Sequence, residues 1–224
     1  MSKARNNLPQ RLLDYVVLQD YSLYSHIDQA IWRYIMKISL PFFMKNAHES
    51  YISGLEMIGI PLDRIPKVDE RDKQLDAYKW GAVTVKGFIP PIIFMEFLSR
   101  RVLPIAVDMR TLEHITYTPA PDIIHEAAGH APIIANTDYA DYLCAYGEVA
   151  KKAIQSKHDS ELYKIVKKMS DMKEYPNVCE VELKKIEVEL EIKSSESHWT
   201  SEANELARMN WWTIEYGLIG DLNN

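Results

Sequence analysis

Two histidines five positions apart place the strongest constraint on how this chain can fold. His125 and His130 lie in a segment that begins at Asp122, with Gly129 just before the second histidine. On a regular α-helix, at about 100° per residue, their side chains would diverge by roughly 140°. Gly129 permits unusual backbone angles, and Pro132 ends the helix nearby. We therefore predict a helix that loosens toward its end, so that both imidazoles can bind one metal ion.

The five-residue spacing separates this segment from the zinc-peptidase pattern. In HExxH the histidines are four residues apart and project from one face of a helix. The spacing here argues against a zinc hydrolase with Glu126 as general base, which stays as one alternative. A short match can also arise by chance, and His125 and His130 would then be ordinary surface or core residues.

A carboxylate near the end of the chain lies in an apolar helical stripe. Trp211, Glu215 and Leu218 have the spacing i, i+4, i+7 and share one face. Burial of this carboxylate is costly unless it is paired or bound to metal, although Glu215 could also reach water from the edge of the stripe. Together with two histidines it would form a two-His-one-carboxylate set, which suits non-haem Fe(II) and oxygen chemistry.

Composition narrows the class of protein. The chain has 224 residues, 47% of them hydrophobic and 26% charged, as expected of one sizeable globular domain. A formal net charge of −6 argues against a nucleic-acid partner, and no apolar run is long enough for a membrane span. The two cysteines, Cys144 and Cys179, have no metal-site spacing and suit a reducing compartment, so we predict a cytoplasmic protein.

Hydrophobic periodicity predicts a fold that is mainly α with a few short β-strands. Ser25 and Asp28 mark the start of a long helix, which Pro41 should end or kink. Residues 80–85 are predicted to form a strand. Residues 181–192 alternate like a strand, but their Glu/Lys-rich composition favours a helix. The other predicted helices run through Leu12 to Val17, over 48–58, after Pro90-Pro91, from Asp122, over 138–172 and over 202–218.

Both segments resemble the iron site of the tetrahydropterin-dependent aromatic amino acid hydroxylases, which comprise phenylalanine, tyrosine and tryptophan hydroxylases. In that family, two histidines of a P-x-P-D-x-x-H-E-x-x-G-H segment and a glutamate of a later W-[FW]-T-[VI]-E-[FY]-G-L segment bind iron. This chain reads PAPDIIHEAAGH over 119–130 and WWTIEYGL over 211–218. The similarity also covers residues 87–130 and, more weakly, 27–32 and 54–66.

The resemblance implies the fold, the metal and the reaction. The fold would be like that of the aromatic amino acid hydroxylase catalytic domain. Fe(II) would be held by His125, His130 and Glu215, which are then also the catalytic centre. Tetrahydropterin and O2 would be co-substrates in the hydroxylation of an aromatic amino acid, with phenylalanine to tyrosine as the expected reaction.

Four residues are expected at the pterin on the strength of the resemblance. Phe94 would stack on the pterin ring, Phe88 and Ile89 would belong to the loop that cradles it, and Glu126 would face it through water. The alternative for the three apolar residues is a place in the core. The alternative for Glu126 is a solvated charge on the helix surface.

Four further residues are expected at the amino acid substrate. Arg110 would bind the substrate carboxylate, for which a planar guanidinium is well suited, and Thr118 could add a hydroxyl donor. Trp211 would line the pocket. Asp122 would orient Arg110 or the histidine, with helix capping as an equally good explanation. The alternative for Arg110 is an ordinary surface arginine.

The chain also departs from the family pattern. We expect one catalytic domain over 1–224, with an insertion around 157–201. A family segment of the type G-A-G-x-x-S-S, which follows the glutamate, has no counterpart here, so the resemblance implies a chain shortened at its C-terminus, either a fragment or a natural form. A metal-binding but catalytically silent module for binding or assembly is therefore the second hypothesis. The preferred aromatic amino acid and the oligomeric state are left open.

Overall fold

The computed structural model describes residues 3–118, 120–173 and 178–215. Two compact units follow one another along the chain, residues 1–148 and 149–224. Helices predominate and the described residues contain one two-stranded sheet, so the predicted fold class is confirmed. No helix among these residues is long and apolar enough to cross a membrane. A single catalytic domain over 1–224 stays a prediction.

Seven α-helices are described that begin in the first unit. Six of them lie wholly within it, and the last ends just beyond the boundary. In chain order they are α1 (Lys3–Asn6), α2 (Gln10–Leu13), α3 (His26–Asn46), α4 (Glu49–Met57), α5 (Val68–Leu75), α6 (Pro91–Ser99) and α7 (Thr137–Ala150).

Local sequence signals set the ends of α3 and α4. Asp28 N–H donates to the Ser25 hydroxyl at 3.2 Å and the Asp28 carboxylate accepts from Ser25 N–H at 2.7 Å, which confirms the predicted capping box. Helix α3 does not end at Pro41 but continues to Asn46, and Phe43 in the continued part packs edge-on against Tyr51. Gly59, with φ of +55°, follows α4 and stops it as expected.

The small sheet pairs two parallel strands. Strand β1 (Gly81–Val85) was expected, whereas β2 (Val102–Ala106) lies at the end of an apolar stretch for which only a helix is predicted. Helix α6 makes the crossover that parallel strands require. Val16 forms an isolated antiparallel bridge with Val85, so the first helical segment ends at Leu13 and its predicted extension to Val17 is wrong.

The second unit contains α8 (Lys157–Lys173), α9 (Glu180–Ser195) and α10 (Glu202–Asn210). The predicted helix over 138–172 is in fact two helices, because a second capping box restarts the chain: Ser156 N–H donates to Asp159 at 2.7 Å, and Asp159 N–H donates to the Ser156 hydroxyl. The helical interpretation of 181–192 is confirmed.

Helices α8 and α9 form an antiparallel pair within the second unit. Ion pairs join Lys193 to Glu161 at 2.6 Å and Lys173 to Glu187 at 3.3 Å. Most of the predicted insertion over 157–201 is this helical pair. The last predicted helix continues from α10 into a π-helical turn, Trp211–Glu215, and its predicted end at residue 218 lies outside the described residues.

Candidate metal centre

His125 and His130 occupy one turn of π-helix, His125–His130. In a π-helix each backbone N–H bonds to the carbonyl five residues earlier, so residues five apart lie above one another. Ala131 N–H makes such a bond to the Glu126 carbonyl at 3.0 Å. The two Nε2 atoms are 2.9 Å apart and the ring centroids 4.6 Å apart. The predicted loosening of the helix is confirmed, and its form is a π-turn.

The two residues expected to cause this loosening behave differently. Gly129 permits unusual backbone angles but does not use a positive φ, since the described glycines with positive φ are Gly59 and Gly87. A Cβ at Gly129 would have no atom within 4 Å, which leaves open space beside the second histidine. Pro132 acts as expected, because the helix ends before it and a 3-10 turn, Pro132–Ala135, follows.

The spacing of the two nitrogens tests whether these residues fit a metal ion. With metal–nitrogen bonds of about 2.1 Å, ligands at right angles lie about 3.0 Å apart, whereas tetrahedral ligands lie about 3.4 Å apart. The Nε2 atoms of His125 and His130 are 2.9 Å apart. The pair is therefore close enough for both nitrogens to bind a single metal ion, as the two histidines of a two-His-one-carboxylate iron site do.

Asp122 connects the start of this helix to Arg110. One carboxylate oxygen accepts from His125 N–H at 3.0 Å and so caps the first turn. The same carboxylate accepts from Arg110 Nε at 2.7 Å and from Arg110 Nη2 at 2.9 Å. Asp122 is 2% exposed and the Arg110 side chain 11% exposed. Both explanations considered for Asp122 therefore apply together, and Arg110 is not an ordinary surface arginine.

Glu126, the residue after the first histidine, is 4% exposed. A carboxylate in this position is not a solvated charge on a helix surface, so that alternative is wrong. The free-energy cost of burying a carboxylate falls when a hydrogen-bond donor or a cation faces it. A role at the pterin stays a prediction for Glu126.

The apolar residues expected at the pterin lie between β1 and the first turns of α6. Ile89 is buried in a cluster with Leu12 and Phe97, and the half-buried Phe94 packs against the same cluster. Phe88 is half-buried. The structure thus gives Ile89 a core role, while Phe88 and Phe94 keep part of their surface accessible.

Asp108 fixes the loop that carries these residues, although no signal in the sequence singles it out. Its carboxylate accepts from Gly87 N–H at 2.7 Å, and its carbonyl accepts from Ile123 N–H at 2.9 Å. Gly87 has a φ of +59°, which favours glycine at that position. Asp108 follows β2 closely, and a polar residue just beyond a strand end is the one feature that could have drawn attention to it.

The last three residues expected at the site are Thr118, Trp211 and Glu215. The Thr118 hydroxyl donates to the Ala120 carbonyl, so the structure shows it bound to the local backbone. Trp211 and Glu215 lie in the second unit, in the π-helical turn that ends the described residues, where Trp211 is 52% exposed and Glu215 half-buried. Glu215 as third ligand and Trp211 as a pocket residue stay predictions.

Comparison with known proteins decides the family. A family model described as biopterin-dependent aromatic amino acid hydroxylase matches residues 18–169. The chain belongs to this family. The matched range includes the π-turn, Arg110 and the loop after β1, whereas Glu215 and Trp211 lie beyond it.

Bacterial phenylalanine-4-hydroxylases are among the hydroxylases most similar to this chain. The enzyme of Mesorhizobium japonicum is 35% identical over 138 residues, which are 61% of this chain and 50% of the relative. The enzyme of Pseudomonas aeruginosa is 33% identical over 131 residues, with 58% and 50% covered. The chain thus spans about half the length of the curated relatives it matches.

Solved hydroxylase structures share the fold. Phenylalanine hydroxylase of Chromobacterium violaceum, with bound iron(III) and 7,8-dihydrobiopterin, superposes with a TM-score of 0.62 at 27% identity, covering 73% of this chain and 60% of that one. The same enzyme with bound iron and phenylalanine gives a TM-score of 0.58, covering 73% and 58%. The neighbouring structures therefore carry iron and a biopterin, in agreement with a biopterin-dependent family.

Proposed function

We propose that the chain is an iron- and tetrahydropterin-dependent monooxygenase that hydroxylates an aromatic amino acid, with phenylalanine to tyrosine as the reaction. One observation carries the proposal: within the hydroxylase family match, a π-turn brings the Nε2 atoms of His125 and His130 within 2.9 Å of each other, close enough to bind one metal ion. The choice of phenylalanine is supported by relatives named phenylalanine-4-hydroxylase.

His125, His130 and Glu215 would hold Fe(II). Two imidazoles and one carboxylate would supply three ligands and leave other positions open, which is the donor set typical of non-haem Fe(II) oxygenases. Iron and tetrahydropterin, when bound, supply the activation of O2 that ring hydroxylation requires. The side chains of this protein then have to bind, orient and shield the reactants.

Arg110 would orient the amino acid by its carboxylate. Two of its five N–H groups already point to Asp122, which fixes the plane of the guanidinium and leaves the Nη1 edge for a second carboxylate. Thr118 and Trp211 would complete the amino acid pocket.

Phe88, Phe94 and Glu126 would form the pterin side of the site, and Ile89, whose side chain packs in the core, would anchor the loop that carries Phe88. The aromatic face of Phe94 suits stacking on a flat heterocycle. The buried Glu126 would meet the polar edge of that heterocycle through water. We also propose a small-molecule aromatic amino acid as the partner of this site and the cytoplasm as its location.

A purified chain supplied anaerobically with Fe(II), and then with tetrahydropterin, phenylalanine and O2, tests the proposal. We expect tyrosine to form, and near-total loss of tyrosine in Glu215→Ala. Retained activity in that variant would refute the ligand assignment. Iron binding without turnover would favour the catalytically silent module. Bound zinc with peptidase activity would favour the hydrolase.

A further inference from the structure

The Ala128 carbonyl, in the π-turn, lacks the backbone N–H donor that an α-helix would provide. In an α-helix the Ala128 carbonyl would accept from the N–H of the residue four positions later. That residue is Pro132, which has no N–H. Pro132 thus ends the helix and at the same time withdraws a donor from a buried carbonyl between the two histidines.

Tyr51 supplies a donor from another helix. Its hydroxyl, on α4, donates to the Ala128 carbonyl across 77 positions of sequence. The Tyr51 ring is held in turn by Phe43 of α3, whose ring meets it edge-on at a centroid distance of 5.3 Å. The hydrogen bond therefore reaches the π-turn from a side chain that is itself fixed by packing.

Helix α4 and the end of the π-turn are in close backbone contact. A Cβ at Gly54 would lie 2.0 Å from the carbonyl oxygen of Pro132 and 2.7 Å from its carbonyl carbon, so only glycine allows this approach. Gly54 is three residues after Tyr51, on the same side of α4. At the far end of the helix, the buried Arg71 donates to the carbonyls of Ile58 at 2.7 Å and Gly59 at 3.1 Å.

We infer that Tyr51 is a positioning residue, which holds the His125–His130 turn in the π register that brings the two imidazoles together. A π-turn is rarely stable on its own, and its relaxation to an α-helix would rotate the histidines apart by roughly 140°. The functional importance of this role rests on the proposed metal site, because a bound metal ion requires the Nε2 atoms of both histidines to be close together.

Tyr51→Phe tests the role by removal of one hydroxyl. Tyr24→Phe is the matched control, since the Tyr24 hydroxyl also donates to a backbone carbonyl, that of Val107, at 2.6 Å. Burial raises the pKa of both tyrosines to about 12, so both are donors at neutral pH. The two substitutions thus remove the same chemical group, and Tyr24→Phe also removes the acceptor of a 3.2 Å hydrogen bond from Gln19 Nε2.

The first readout is Co(II) affinity of the metal-free chain, followed by its visible absorption. We expect Tyr51→Phe to weaken Co(II) binding about tenfold and to change the absorption bands, and Tyr24→Phe to leave both within twofold of wild type. Equal Co(II) affinity in Tyr51→Phe and wild type, or an equal loss in both variants, would overturn the role of Tyr51.

The second readout needs no metal. Hydrogen exchange of Ala131 N–H, which makes the π-type bond to Glu126, should be about tenfold faster in Tyr51→Phe than in wild type or Tyr24→Phe. Unchanged exchange would overturn the inference. If the wild-type chain bound no Co(II), the proposed metal site would fail, while this exchange rate would still decide whether Tyr51 holds the turn.

Discussion

Asp122 holds Arg110 in a two-pronged ion pair, with Nε–Oδ2 at 2.7 Å and Nη2–Oδ1 at 2.9 Å, while it caps the helix of the two histidines. One buried carboxylate thereby links the residue expected to bind substrate to the turn expected to bind metal. The position of the guanidinium and the start of the helix depend on the same group.

Asp122→Ala should lower the free energy of unfolding by about 3 kcal/mol, because it leaves a largely buried arginine without its partner and removes a helix cap. Urea denaturation measures this loss. Glu70→Ala is the control, since it breaks the more exposed Arg64–Glu70 pair and should cost at most about 1 kcal/mol. Equal losses in the two variants would contradict the structural role of Asp122.

Substitution by alanine should have different effects on stability at Gly54 and at Gly129, the two glycines near Pro132. Gly54→Ala places a Cβ 2.0 Å from a backbone oxygen, so we expect destabilisation by about 3 kcal/mol or more. Gly129→Ala meets no atom within 4 Å at an ordinary φ, and the higher helix propensity of alanine should leave stability unchanged or raise it by up to about 1 kcal/mol. Thermal unfolding distinguishes them, and a larger loss for Gly129→Ala would count against the described packing.

Glu96 should make the free energy of unfolding of the first unit decrease at acidic pH. Burial alone would raise the pKa of this carboxyl, but hydrogen bonds from Arg11 and Arg100 outweigh it and lower the pKa below 4.5. A lowered folded-state pKa adds stability above pH 4.5 that is lost as the pH falls through the folded-state value. The measurement is the free energy of unfolding of wild type and of Glu96→Gln at pH 6 and at pH 3. We expect wild type to be the more stable protein at pH 6 and the difference to shrink at pH 3. A constant difference would contradict this assignment.

Several features of the fold follow from local sequence rules. The i, i+5 spacing of His125 and His130 predicts a distorted helix, because the directions of two side chains on a regular helix follow from their spacing alone. The capping box of Ser25 and Asp28 is local for the same reason. Family motifs added the metal and the reaction, which periodicity alone could not give.

Other features depend on contacts between distant segments and leave no local signal. Nothing near Tyr51 in the sequence indicates that its hydroxyl serves the Ala128 carbonyl, and nothing near Gly54 indicates Pro132. Gly129 shows a related difficulty. A glycine can be needed for its backbone angles or for its missing side chain, and sequence does not separate the two reasons. At Gly129 φ is not positive, so the missing side chain, which leaves open space beside His130, is the reason that the structure supports.

Anaerobic titration with Fe(II) tests the central claim, that a π-turn sets the two histidines at one metal ion. The informative comparison is wild type against His130→Ala, which removes the second imidazole and leaves His125 in place. We expect one Fe(II) per wild-type chain and at least roughly 100-fold weaker binding in the variant. Equal affinity in the two chains, or no Fe(II) bound by wild type, would contradict the claim.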